Sequence, residues 1–223
     1  VIQGSQVVAV SFSKISDFNS LTAYSGYNTN SSRINHLASQ YSDFVTPLTE
    51  DINLSNRGNT VITKNLFQSG EIDKQGGLYA VSASGAIEIA PSFFVGASIN
   101  AYTGSFKTVR KYLESDSKSL YDSVYIKSED RYRNFVKFGY DESTEKNISG
   151  YGISFGILYQ YDNVLRAGMT IKLPDRLSID EKYTLEASSE FSPYKAYYSG
   201  IDYESEYDIR TPGKITFSGA YRI

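Results

Sequence analysis

The chain has 223 residues, with 22 Lys and Arg against 25 Asp and Glu for a net charge of −3, one His, no Cys and no Trp, but 20 Tyr and 12 Phe. Without cysteine there is neither a disulfide framework nor a thiolate metal site, and the lone His36 leaves no His-rich metal centre or His-dependent triad to expect. The near-neutral balance also lacks the basic footprint of a nucleic-acid binder.

No stretch approaches the roughly 18 to 20 uninterrupted apolar residues of a spanning helix. The first residues lack the basic-then-apolar layout of a signal peptide, so a leader would already be removed or the stretch would lie inside a longer chain. What recurs is period-two alternation, the mark of a strand with one apolar and one polar face. It begins with Val8, Val10 and Phe12 set against Ala9, Ser11 and Ser13. Next, Ile34, Leu37, Ala38 and Tyr41 have helical spacing after the candidate caps Ser31 and Ser32, which predicts a short helix outside any membrane, with His36 read as a solvated loop residue. Over 76–90 the alternation returns, with Tyr79, Val81, Ala83, Gly85, Ile87 and Ile89 on one parity and Leu78, Ala80, Ser82, Ser84, Ala86 and Glu88 on the other. After Pro91-Ser92, the apolar parity is Phe93, Val95, Ala97, Ile99 and Ala101, opposite Gly96, Ser98 and Asn100; the two runs read as a hairpin.

A second hairpin follows. Tyr151, Ile153, Phe155, Ile157, Tyr159 and Tyr161 alternate with Gly150, Gly152, Ser154, Gly156 and Gln160, the turn is Asp162-Asn163, and Leu165, Ala167, Met169, Ile171 and Leu173 then alternate with Arg166, Gly168, Thr170 and Lys172. Pro174 and Pro212 cannot donate ladder hydrogen bonds and mark kinks, a gap in the wall, or simply the ends of the regular ladder. The final run sets Ile215, Phe217, Tyr221 and Ile223 against Lys214, Thr216, Ser218 and Arg222. Six strands therefore share one pattern.

The polar parity distinguishes two architectures. A soluble sandwich would carry many charges there, whereas this face is mostly Ser, Gly, Ala, Thr and Asn, as suits a crowded lumen. Aromatics flank the two tight turns, as at the rims of a membrane barrel. Short and long connections alternate, and 104–147 holds 17 charged residues where 76–103 holds one, Glu88. The expected fold is all-β: an antiparallel up-and-down transmembrane barrel with short turns at one end and long extracellular loops at the other, in one domain over 1–223. Glu88, Ser98, Asn100, Arg166, Lys172, Lys214 and Arg222 would face the lumen. The basic members would hold a carboxylate headgroup or pair with Glu88 and other interior acids. No catalytic pair, metal cluster or cofactor is expected. The Gly150-x-Gly152-x-x-x-Gly156 run has the wrong spacing for a dinucleotide loop and lies inside a strand.

The stretch 150–170, with its Gly-aromatic-Gly, Gly-Ile-Leu-Tyr, Asp-Asn turn and Arg166-x-x-x-Thr170, resembles the outer-membrane long-chain fatty acid transporters of the FadL type, which include channels for aromatic hydrocarbons. The closing strand, from Thr211-Pro212 to Gly219-Ala-Tyr-Arg-Ile223, fits the same pattern. The likeness covers 148–223, is looser over 76–103 and does not reach most of 15–73. It implies that these residues are about six strands of a fourteen-stranded barrel, without its plug, in the outer membrane of a Gram-negative bacterium. The implied activity is passive uptake of a hydrophobic small molecule such as a fatty acid or aromatic hydrocarbon, in contact with membrane lipid and without a covalent step. Some relatives instead act as partners of the type IX secretion machinery, so a scaffold that binds protein at its charged outer segments is the alternative. A soluble β-sandwich binding module is the third.

Overall fold

The computed structural model describes residues 4–41, 47–123, 133–162, 164–192 and 194–222. Asn163 and Ile223 lie outside these, as do Lys127, Glu129, Asp130 and Arg131 of the charged stretch. The chain is an all-β antiparallel sheet in which strands follow one another in six parallel tracks. The first track is β1 (Gln6–Asp17) continued by β2 (Ser20–Asn28), and β3 (Leu66–Ala90), β4 (Phe93–Ser115) and β5 (Phe135–Tyr161) each run unbroken. The fifth is β6 (Leu165–Lys172) continued by β7 (Arg176–Phe191), and the sixth is β8 (Lys195–Arg210) continued by β9 (Lys214–Tyr221). Near the tight turns the order is β1-β3-β4-β5-β6-β9, and farther out β2, β3, β4, β5, β7 and β8 pair in succession. The sheet is open, because among the described residues β1 and β2 pair only with β3, β8 only with β7, and β9 only with β6.

The six alternating runs all form strands, and their parity holds from track to track. One register row reads Val8, Gly85, Ala97, Phe155, Ile171, Ile215, and the next towards the turns reads Gln6, Ile87, Val95, Ile157, Met169, Phe217. Their apolar side chains project from the sheet, with Val8 81% and Phe217 77% exposed. On β5 this face stays apolar from Tyr151 to Tyr161. At about 3.3 Å per residue that is roughly 33 Å of strand. Phe12 stacks on Tyr79 at 5.6 Å at one border of the band, and Phe93, Tyr159 and Tyr221 stand at the other.

Most of the segments expected as long loops, 104–147 and 174–214, is strand, the connection between Ser115 and Phe135 aside. The ladders of β4, β5, β7 and β8 run through both segments, as does that of β2 and β3 through much of 15–73. Charge does not mark a loop here because the outer half of the sheet is polar on the face whose inner half is apolar. Cross-strand pairs such as Lys107–Glu145 at 2.5 Å and Lys137–Glu190 at 3.2 Å hold the ladder together there. The prolines mark interruptions of the ladder: Pro174 separates β6 from β7 and Pro212 separates β8 from β9, yet each track resumes beside the same neighbouring track. At the first tight turn Ser92 takes a left-handed φ of 66° and its N–H donates to Glu88 Oε1 at 2.9 Å.

The outer end is closed by the segment between β2 and β3, which carries α1 (Arg33–Ala38) and α2 (Leu48–Asp51). Ser32 caps α1 as expected, accepting from the Asn35 N–H, and His36 lies exposed within that helix rather than in a loop. Ile34, Ile52, Leu54 and Ile62 are fully buried against Leu66, Phe135, Phe138 and Phe191 at the sheet's outer end. Glu114, fully buried at the end of β4, accepts from the N–H groups of Arg33 and Ile34, from Gln68 Nε2 and from the Tyr112 hydroxyl. One carboxylate thus satisfies two of the free N–H groups at the start of α1 and ties the cap to the sheet.

Candidate functional site

The candidate residues lie on the face opposite the apolar band. One register row reads Ser84, Ser98, Ser154, Lys172, Lys214. Ser98 and Ser154 share a hydrogen bond of 2.7 Å, and one row farther out the Ser82 hydroxyl donates to Asn100 Oδ1 at 2.6 Å. Lys172 and Lys214 face each other directly, an arrangement that like charges disfavour. The compensation is Asp175, whose Oδ2 lies 2.6 Å from Lys172 Nζ.

Asp175 reaches this face because the ladder pauses around it. Pro174 has no N–H, the Asp175 N–H donates to Thr211 Oγ1 at 2.9 Å, and the Thr211 N–H donates to the Asp175 carbonyl at 3.1 Å. The two interruptions therefore sit side by side and hold each other. The Asp175 carboxylate lies over Gly152, where a Cβ would collide with Oδ1, and close to the Tyr102 hydroxyl. Asp175 is 5% exposed and its Oδ1 has no hydrogen-bond partner. Lys214 has no ion-pair partner among the described residues, which leaves one free cation beside a neutralised one.

The other candidates sit elsewhere. Glu88 meets none of the basic residues: it accepts from the Ser92 N–H and from the Ser5 N–H and hydroxyl, so it holds the tight turn and the start of β1. The expectation that it would pair with interior lysines or arginines is corrected, and Asp175 is the acid that does. Arg166 pairs in register with Gln160 and Ala220 near the second turn, and the Arg222 N–H donates to the Val164 carbonyl beside it. The structure thus brings Ser98, Asn100, Lys172 and Lys214 together and sets Glu88, Arg166 and Arg222 apart at the turn end.

Beyond Tyr102 the two faces exchange character. The face that is small and polar behind the apolar band becomes aromatic and aliphatic, with Leu78, Ile148, Ile179 and Tyr207 in one row, while the opposite face turns polar and acidic at Asp17, Asn147, Asp180 and Glu206. Two networks cross this aromatic stretch. Arg110 pairs with Glu142 at 2.9 Å, and Glu142 also accepts from the Tyr140 hydroxyl at 2.6 Å. Lys146 pairs with Glu181 at 3.0 Å and donates to the Tyr207 hydroxyl, which donates to Glu181 at 2.8 Å. The Tyr207 hydrogen bond, with Glu181 behind it, holds Lys146 above its ordinary value, and Lys146 in turn holds Glu181 below the usual carboxylate range. Burial first, then Glu142, pushes Tyr183 from 10.0 up to about 12.

That shift fixes a sign. A tyrosine whose folded-state value is raised adds stability at pH below 10, and this is lost as pH rises through about 12. Thermal melts of the wild-type chain are expected to fall more steeply between pH 10 and 12 than those of Tyr183→Phe; parallel curves would count against the assignment.

No group of three or more His, Cys, Asp or Glu side chains is placed to hold a metal ion among the described residues. No family model and no curated protein sequence matches the chain. Its assignment rests on its own residues and geometry. Three parts of the site escape a parity reading. Asp175 follows a proline and leaves the alternation, the Arg110–Glu142 and Lys146–Glu181 pairs lie in a stretch whose charge reads as loop, and Glu114 is a buried acid at a strand end. The repeated Tyr-x-Glu spacing at Tyr112-x-Glu114 and Tyr140-x-Glu142 is the one signal that could have found the last two groups.

Proposed function

We propose that this sheet is part of the wall of an outer-membrane β-barrel through which a hydrophobic small molecule, such as a fatty acid or aromatic hydrocarbon, moves without energy coupling. The observation that carries this reading is the exchange of the two faces at one level of the sheet. The apolar band is about 11 residues deep, the length of a tilted membrane-spanning strand, and would stand roughly 25 Å high. It runs from one free edge to the other, is bordered by aromatics, and gives way to charge above. No described segment of the chain covers it, and an exposed apolar surface of this extent marks a membrane or a partner. No helix among the described residues is long and apolar enough to cross a membrane, which says nothing about strands.

In this reading the aromatic stretch between the cap and Tyr102 receives the hydrophobic part of the molecule. Lys214, beside the Lys172–Asp175 pair, offers the polar head a charge on the way through. The strand tracks are then members of a larger closed barrel of the FadL type, because open edges are not tolerated in lipid.

The face assignment is tested by tryptophan. The native chain has none, so Ile99→Trp and Thr170→Trp place one reporter on each face. Brominated lipid is expected to quench the first strongly and the second weakly after reconstitution. Equal quenching, or a chain that stays monomeric in plain buffer, would sink the reading. Uptake of a labelled fatty acid into proteoliposomes that is lowered by Lys214→Gln then tests the transport half.

A second reading, a scaffold for a secretion machinery, is favoured by one observation. The outer half of the sheet projects about 40 Å of strand beyond the band, from Asn147 to Phe135 on β5, and is closed by its own buried cap. Reconstituted protein that quenches as above yet carries no ligand would favour it.

A further inference from the structure

The outer half of the sheet ends on β8, which pairs on one side with β7 and on the other with no described strand. Its upper part is spoiled for pairing by a bulge. The register shifts where Leu185 meets Ile201 and Ala187 meets Tyr198, with Gly200 at a φ of 91°. From Ile201 to Arg210 the register with β7 runs without a shift, so the free side presents a regular row of backbone N–H and C=O groups. On its outward parity this stretch carries Asp202, Glu204, Glu206 and Asp208 and then ends on Arg210, all exposed.

Outward rows differ in how they treat charge: Asp141 faces Glu186 and Arg176 faces Arg210, whereas one row pairs opposite charges throughout. Along one register row the charges alternate from track to track, Lys107, Glu145, Lys182, Glu204. Lys107 lies 2.5 Å from Glu145, and Lys182 lies 3.5 Å from Glu204 and 3.6 Å from Asp202. The alternation stops on a carboxylate at the free edge. Beside it, Asp180 and Glu206 face each other as like charges. Lys182 is the one cation in ion-pair contact with these four acids among the described residues.

We infer that the Ile201-to-Arg210 edge of β8 receives an extended, basic β-strand from outside these 223 residues, with Lys or Arg at alternate positions opposite Asp202, Glu204, Glu206 and Asp208. A second copy of this chain does not supply it. The other outer edge, β2, offers Leu21, Ala23 and Ser25 at the matching parity, and Asp17 on β1 would add a further acid. Acidic side chains on an edge also serve to repel strands, and this is the competing account the test must separate. The inference deepens the barrel reading, since in a closed wall the occupant is the strand next to β8; because this edge lies beyond the apolar band, the lipid-quenching and peptide tests fail independently.

The test uses the full chain in detergent and three peptides of equal length that alternate Thr with Lys, Gln or Glu, with binding read by fluorescence polarisation. The Lys peptide is expected to bind at least about tenfold more tightly than the Gln peptide, as several exposed charge pairs acting together would give, and the preference should fade as salt rises. The variant Asp202→Asn, Glu204→Gln, Glu206→Gln, Asp208→Asn should lose it. Position is read by disulfide capture, since the chain has no cysteine. A Lys peptide with one Thr replaced by Cys should trap Ser205→Cys on β8 and not Thr22→Cys on β2. Failure of the Lys peptide to bind, equal binding of the Gln peptide, or equal capture at the two edges would each overturn the inference. The peptide and salt comparisons on the unmodified chain stand even if the fourfold variant does not fold.

Discussion

Phe155→Arg is expected to keep this chain out of a lipid bilayer while leaving its detergent-solubilised fold nearly intact. Phe155 lies on the apolar face of β5, in the row of Val8, Gly85, Ala97, Ile171 and Ile215 and near the middle of the band. An arginine facing lipid at mid-membrane costs about 2–4 kcal/mol, enough to lower the inserted fraction by more than tenfold. Phe155 is 50% exposed, so little internal packing is lost with it. Thr170→Arg is the control: it sits one row away on the other face, opposite Gly156 and Thr216, where a charged head meets a small, polar surface. Liposome flotation of both variants decides. Equal insertion would mean that the apolar band does not meet lipid.

The second large effect belongs to Glu114. Glu114→Ala strips four donors of their acceptor at once: the N–H groups of Arg33 and Ile34, Gln68 Nε2 and the Tyr112 hydroxyl. A buried donor left unpaired costs roughly 1–3 kcal/mol, and hydrogen bonds to a charged acceptor lie at the strong end. The loss should be about 3 kcal/mol or more, concentrated in the cap. The expected readout is rapid proteolysis between β2 and β3 with the sheet core still protected. Glu114→Gln should be intermediate, because its carbonyl oxygen still accepts but its amide nitrogen cannot. A cap as resistant in Glu114→Ala as in the parent chain would show that buried Ile34, Ile52, Leu54 and Ile62 hold it without the carboxylate.

Much of the inner half of the sheet was legible from residues alone. Each run there has bulky apolar residues on one parity and Ser, Gly or Thr on the other, and Pro91-Ser92 and Asp162 sit at sharp reversals. No bulge interrupts β4 or β5 between the turn and Tyr102 or Gly150, so parity kept Ser98, Asn100 and Lys172 together on the face opposite the apolar band. The outer half was hidden for a physical reason. Where the outward face needs charge and the inward face takes tyrosine and ion pairs, as in Tyr140-Asp-Glu-Ser143, neither parity is cleanly apolar, and the period-two signal vanishes although the ladder continues. Asp175 and Glu114 were hidden because their roles come from long-range geometry: a ladder interruption held by Thr211 in one case, and a helix start 80 residues earlier in sequence in the other.

The placing of the breaks sets how the sheet can deform. β3, β4 and β5 run 25, 23 and 27 residues without interruption, whereas the flanking tracks are divided at Phe18-Asn19, at Pro174 and at Pro212. Three neighbouring strands therefore act as a stiff spine from the tight turns to the cap. The divided tracks are jointed slats beside it, with both proline joints on the same flank and at the same height. A load on the cap passes down the spine as shear across many hydrogen bonds at once, which resists extension. A sideways load on the proline flank is taken by a few bonds around Asp175 and Thr211.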